Sequence, residues 1–319
     1  SKKMYLSKNR LLLAKKETVY GTDPTPTVAD NALEVKAIKV NYQADLLDRE
    51  IMRSSLSPRT PIVGKRWAEV TFTAELKGSG TKGVAPKIGA LLQACGFAET
   101  ASVGSSVLYS PSSSAIASVT VYVYDLDLDG GNARLHQLTG CRGQVSLKAE
   151  AGKLAELEFK MQGMYEAVTD VAAPSSPTFE TTKPPVVESC NFTLNSNTDL
   201  VVQNISIDMN NEVVSQDDIS TANAIKGFII TGRKPSGTFN PEAVLAATYD
   251  FLADWVAATE RALSMVVGSV AGNICTISAP QVALSSLADS DKSGILTNDI
   301  PFRLSGSAAG DDELTLNFT

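Results

Sequence analysis

Gln-Leu-Thr-Gly-Cys-Arg-Gly-Gln-Val-Ser-Leu-Lys-Ala-Glu-Ala-Gly-Lys-Leu-Ala-Glu-Leu-Glu-Phe-Lys-Met-Gln-Gly-Met-Tyr-Glu-Ala-Val, residues 137–168, reads as a strand, a turn at Gly152 and a second strand. That second strand runs through Leu157-Glu158-Phe159-Lys160-Met161-Gln162-Gly163, and its pattern returns as Ile300-Pro301-Phe302-Arg303-Leu304-Ser305-Gly306. The chain is therefore expected to be mainly β and to carry a weak tandem repeat. Two β-rich units in series point to assembly before they point to a catalytic pocket.

Working outward, alternation marks further strands at 35–42, 67–76 and 119–128, the last closed by the turn Asp129-Gly130-Gly131-Asn132. One short helix is expected after Pro86, with Ile88, Leu91, Leu92 and Cys95 on one face and Gly96 as its stop. Residues 1–36 read as an irregular N-terminal arm, because Gly21-Thr22-Asp23-Pro24-Thr25-Pro26-Thr27 suits neither helix nor strand. A polar stretch at 45–61 is long for a hairpin connection. Residues 37–168 form the first unit, and 169–185, with Pro174, Pro177, Pro184 and Pro185, form a linker.

Residues 186–319 form the second unit. Strands are expected at 189–194, 200–209, 228–233, 263–270, 274–278, 300–306 and 313–318, with a polar loop at 210–223. A helix is expected from the N-cap Asn240 and Pro241, striped by Val244, Phe251, Leu252 and Trp255. Aligning Val70-Thr71-Phe72 with Ile229-Ile230-Thr231 brings Gly78 onto Gly237. Aligning Val40 with Ile205 instead shortens the second loop.

Composition narrows the function classes. The 319 residues are 43% hydrophobic and 20% charged, ordinary for a globular chain able to bury two cores. No apolar run approaches the roughly 18–20 residues of a membrane-spanning helix, and Leu11-Leu12-Leu13-Ala14 is too short for a signal core. Net charge is −7, and residues 1–16 hold six basic groups and no acid, leaving −13 on the remainder. Such a body does not suit a grip on nucleic-acid phosphates, which needs several Lys or Arg.

The motifs that carry chemistry are incomplete. Asp125-Leu126-Asp127-Leu128-Asp129-Gly130 opens like a calcium loop, but its twelfth position is His136, where a bidentate Glu is needed. His136 is the sole histidine, and no G-x-S-x-G supplies a nucleophile for it. Gly78-Ser79-Gly80-Thr81-Lys82-Gly83 continues with Val84-Ala85 and lacks the Lys and Ser or Thr of a phosphate loop. Cys95, Cys141, Cys190 and Cys275 are too scattered for zinc. No catalytic, cofactor-binding or metal residue is expected, and no enzyme activity.

The opening Arg10-Leu11-Leu12-Leu13-Ala14-Lys15-Lys16-Glu17-Thr18-Val19-Tyr20-Gly21-Thr22-Asp23-Pro24-Thr25-Pro26 resembles the N-terminal signature of tail tube proteins of long-tailed bacteriophages. Leu138-Thr139-Gly140-Cys141-Arg142-Gly143-Gln144-Val145-Ser146, followed by Phe159-Lys160-Met161-Gln162-Gly163, is similar to that family's second signature. The resemblance implies two tandem β-sandwich tube domains, each with a flanking short α-helix, which join neighbouring copies into a β-barrel ring. It implies a structural virion protein, made in the host bacterial cytoplasm, whose stacked rings conduct DNA at ejection. Tube rings commonly hold six such domains, so a doubled chain is expected to form trimers of near-sixfold symmetry. The tape measure and other tail proteins would be its partners, with DNA passing an acidic lumen unbound.

Candidate contacts between copies are Lys15 and Lys16 in the basic start, Asp23, the loop residues Arg49, Arg53 and Arg59, and the acids Asp217 and Asp218. The rival reading is a two-domain β-sandwich binding module for carbohydrate or adhesion. It is weakened by an aromatic content of 6% and the incomplete calcium loop.

Overall fold

The structure, a computed structural model, describes residues 4–319; Lys2 and Lys3 of the basic start lie outside the described residues. Strands dominate. The first half holds β1 (Tyr5–Lys16), β2 (Ala32–Leu33), β3 (Val35–Leu47), β4 (Ile62–Glu75), helix α1 (Gly89–Ala94), β5 (Phe97–Ser102), β6 (Ser106–Pro111), β7 (Val119–Asp127), β8 (Asn132–Glu150), β9 (Glu156–Tyr165) and β10 (Thr169–Ala172). The second half holds β11 (Thr193–Leu194), β12 (Val202–Asp208), β13 (Asn211–Asp217), β14 (Ile225–Arg233), β15 (Ser236–Pro241), helix α2 (Phe251–Val256), β16 (Arg261–Val267), β17 (Cys275–Leu284), β18 (Ala288–Lys292), β19 (Ile295–Leu304) and β20 (Thr315–Phe318).

The backbone of the fold is one antiparallel run of eight strands, ordered β3-β4-β9-β8-β12-β15-β19-β17. The order repeats: the first four occupy the same succession as the last four. Register repeats as well. Phe159 lies opposite Val145 on one side and Phe72 on the other, and Phe302 lies opposite Leu284 and Gly237. The motif 157–163 thus stands in the fold where 300–306 stands. The two alignments expected for the preceding strands fail, however. Pairing makes Phe72, opposite Phe159, the counterpart of Gly237, opposite Phe302, so neither Gly78 with Gly237 nor Val40 with Ile205 holds. The reason is chemical: at Gly237 the absent side chain is replaced by the Phe302 ring, 2.5 Å from where a Cβ would sit, so equivalent positions share no residue type.

A second layer closes over one face, which makes the fold a β-sandwich. The first half of β8 carries β7 and then β1, as the first half of β17 carries β16 and then β11. Strand β20 adds β6 and β5 to β17. Alternating side chains fill the space between: Ala68, Val70, Phe72 and Ala74 of β4, Leu157, Phe159 and Met161 of β9, Ile205 and Ile207 of β12, and Ile300, Phe302 and Leu304 of β19. One buried cluster runs through both halves. Phe72 stacks on Phe159 at 5.5 Å between centroids, and Phe239 meets Phe302 at 5.6 Å. The sheet is open, with no closure into a barrel among the described residues.

Several expected elements move. The supposedly irregular start holds the twelve-residue β1, because Leu11, Leu12, Leu13 and Ala14 are a buried strand core against β7. Between β1 and β2, residues 17–31 form no strand or helix. The linker contributes β10, paired to the start of β8. Half of the polar stretch at 210–223 is the strand β13, which leaves a short connection to β14.

The second helix begins ten residues later than expected, at Phe251, capped by Asp250 accepting from the Ala253 N–H at 2.9 Å. Asn240 and Pro241 end β15 instead. The Asn240 Oδ1 accepts from the Gln203 and Asn204 N–H groups, and proline at a strand end breaks no ladder. The first helix follows expectation but starts at Gly89, Pro86 forming the turn before it.

Candidate assembly site

The two segments that carry the tube-protein resemblance meet in space. Glu17, 6% exposed, accepts from the Gly140 N–H at 2.7 Å, the Thr120 hydroxyl at 2.7 Å, the Gly21 N–H at 2.8 Å and the Ser118 hydroxyl. Four donors satisfy a buried carboxylate that would otherwise cost several kcal/mol. Tyr20 then spans the halves of the chain. Its hydroxyl donates to the Gly140 carbonyl at 2.8 Å and accepts from the Phe228 N–H at 2.7 Å. Burial pushes the Tyr20 phenol up to about 12.

The glycines on either side are required. A Cβ at Gly140 would lie 2.8 Å from the Tyr20 hydroxyl, and one at Gly227 would lie 2.4 Å from its ring. Gly140 also has φ +59, a left-handed bend within the long strand β8. Arg142 lies 4.7 Å over the Tyr20 ring and donates to the carbonyls of Phe228, Ile116 and Ala117. Nearby, Asn211 donates to the carbonyls of Cys95 at 2.6 Å and Gly143 at 3.0 Å. The β13–β14 hairpin is thereby seated across the end of α1 and the middle of β8.

The other face of the eight-strand run is polar and concave. A hollow of about 630 Å³ is lined by residues such as Thr71, Ser146, Ser206, Ser236 and Thr238. Its charges are mixed. Lys148 pairs with Glu158 at 3.3 Å, and Lys160, Asp208 and Arg303 stand on the same lining. The run ends in two strands with an open side: β3, which pairs only with β4 along its length, and β17, whose last residues Ala283 and Leu284 pair with β19 on one side and with no strand on the other among the described residues.

The residues singled out as contacts scatter. Lys15 donates to the Pro24 carbonyl at 3.0 Å, Lys16 to Gln93 at 2.6 Å, and Asp23 accepts from Gln137 at 3.0 Å and from Tyr122. These three are engaged within the chain. Arg49, Arg53 and Arg59 lie on the exposed connection between β3 and β4, where Arg53 donates to the Ser57 carbonyl. Asp217 meets Lys65 at 3.4 Å at the base of that arm, and Asp218 starts the next turn by accepting from the Ser220 N–H.

Sequence reasoning passed over Glu17, Tyr20 and Arg142 as site residues, although all three stood inside the quoted signatures. The calcium-like segment has a different use. Asp125, 4% exposed, is held by Arg10 at 2.6 Å, Arg134 at 2.6 Å and His136 at 2.9 Å. Among the described residues no group of three or more His, Cys, Asp or Glu is arranged to hold a metal ion. No helix there is long and apolar enough to cross a membrane.

The fold is an open, edge-bearing β-sandwich with an internal strand repeat and a polar concave face. The sequence matches the family model described as phage tail tube protein over residues 7–319. The chain belongs to that family and is a structural component of a bacteriophage virion, located in the tail. No curated protein matches the chain.

Proposed function

We propose that this chain polymerises into stacked rings forming the tube of a phage tail, and that three copies make each ring. The observation that carries the reading is the seam between β8 and β12. There Ser146 to Glu150 pair with Asp208 to Asn204, joining the last strand of one four-strand set to the first of the next. The seam is a junction between two tube-type units, fused in one chain. The same junction recurs between copies, with the end of β17 against β3 of a neighbour. Unpaired strand edges favour such closure, since a ring satisfies them all.

The first unit then spans 37–168 and the second 186–319, with β1 as an N-terminal strand of the first sandwich. The polar face lines the lumen. Its cations are interspersed with acids and hydroxyls, which leaves no continuous row to hold phosphates, so DNA passes unbound. The tape measure occupies the lumen before DNA does. Synthesis is in the host cytoplasm, ahead of tail assembly.

Negative-stain microscopy and mass measurement of the purified chain test the reading. Rings or hollow filaments with three chains per ring are expected. Six chains per ring, or a monomer at high concentration, would overturn it.

A further inference from the structure

We propose that the outer part of the β3–β4 hairpin of one copy seats on the second half of its ring neighbour, across the end of α2. The inference rests on the tube reading and adds the partner surface. It starts from a contact that the chain makes with itself.

The hairpin β13–β14 continues outward from β12 and β15, and the outer β3–β4 hairpin continues outward from the same places in the first half. The inner of the two is seated: Phe228 and Ile225 are 2% and 0% exposed, and Asn211 and Phe228 bond to Cys95, Gly143, Tyr20 and Arg142. Ile230 lies 3.7 Å from where a Cβ of Gly96 would sit, at the end of α1. The outer hairpin has the same build and no comparable seat. Leu46, Leu47, Ile62 and Val63 are 51–64% exposed.

The surface it would cover is also open. Gly96 follows α1 with φ +91, and Ala258 follows α2 with φ +48, so the two helix ends correspond. Ala94 in the last turn of α1 is 0% exposed, while its counterpart Val256 is 73% exposed, with Leu252 and Trp255 beside it. Register also places Gln281 at the position of Arg142, since Val282 stands where Gly143 does. Arg142 bonds to the seated hairpin, whereas the Gln281 Oε1 has no hydrogen-bond partner among the described residues. An apolar hairpin without a seat and an apolar seat without a hairpin stand at matching places in the repeat. Ring closure through β17 and β3 brings them together between copies.

Single-cysteine variants on a Cys190→Ser background test this, the other three cysteines being buried. Ile62→Cys or Val63→Cys protein is mixed with Val256→Cys or Ala258→Cys protein and assembled under mild oxidation. The expected result is a disulfide-linked dimer from the mixture and none from either variant alone. A chain carrying both cysteines is expected to give covalent closed trimers as its major product. Tubes that form with no cross-link overturn the seating while leaving the tube reading intact. A ladder of products longer than trimers overturns it too, because the hairpin then reaches the next ring. Absence of rings under any condition removes both. Circular dichroism and melting of each variant, expected unchanged because these side chains are exposed, exclude misfolding as the cause of a negative result.

Discussion

At the scale of single residues, Tyr20 joins Asn211 and Arg142 in holding the first half to the β13–β14 hairpin. It gives one hydrogen bond to a carbonyl 120 residues away and takes one from an N–H 208 residues away, and two glycines leave the room for its ring. Tyr20→Phe strands a buried Phe228 N–H and a Gly140 carbonyl, at about 1–3 kcal/mol. Gly227→Ala drives a methyl into the ring and is expected to cost at least as much. Thermal melts of both variants check this; melting unchanged from the parent would show that the hairpin is held elsewhere. The sequence displayed Tyr20 and Gly140 inside the two signatures but gave no hint of their roles, and Gly227 stood outside both. A half-buried tyrosine that bridges a distant carbonyl and a distant N–H has no local pattern, since its partners lie far along the chain.

Among the elements, β1 shows how a cluster of charges fixes a strand. Arg10 on β1 reaches Asp125 on β7, which also takes Arg134 and His136 from β8. Burial opposes the Asp125 charge, yet hydrogen bonds from Arg134, His136 and Arg10 outweigh it and hold the carboxyl below its ordinary value. Burial holds the His136 imidazole below 6.5 despite that carboxylate. The ring is then neutral, its Nε2–H donating to Asp125 and its Nδ1 accepting from the Tyr42 hydroxyl at 2.7 Å.

Both groups bind protons less readily when folded than unfolded, so stability is lost as pH falls. The His136 contribution starts to fall as pH drops through its unfolded value near 6.5, and the Asp125 contribution follows below about 3.8. Melting temperature is expected to decline from about pH 7 to about pH 5, and less steeply in His136→Gln. Identical slopes would remove His136 from the account.

Strands with alternating burial, such as β4, β9 and the end of β19, were legible because one buried face imposes a period of two. Strand β1 was hidden by its charged flanks. The α2 start was misread because an Asn-Pro pair serves a strand end as well as a helix cap, and only the cross-strand bonds of Asn240 decide between them.

For the whole molecule, the repeat was visible in the motif at 157–163 and 300–306, while its register emerged only from strand pairing. The charge balance needs the same correction of scale. A net −7 says little about the concave face, where Lys148, Lys160 and Arg303 sit among Glu158 and Asp208. Replacing Glu158 and Asp208 by lysine is expected to make assembled tubes retain DNA in low salt, with release as salt rises. Retention no greater than that of the unaltered tube would place the DNA path elsewhere.

The β8–β12 seam has a kinetic consequence. The ring proposed above, with that junction already formed during the folding of each chain, needs fewer encounters to close than one built from single units. Nucleation then depends on a lower power of protein concentration, and partly built rings have fewer open seams through which to dissociate. The two halves are also freed from serving one shared interface. In that ring the junction inside the chain, Ser146 to Glu150 against Asn204 to Asp208, can change sequence without altering the junction between chains.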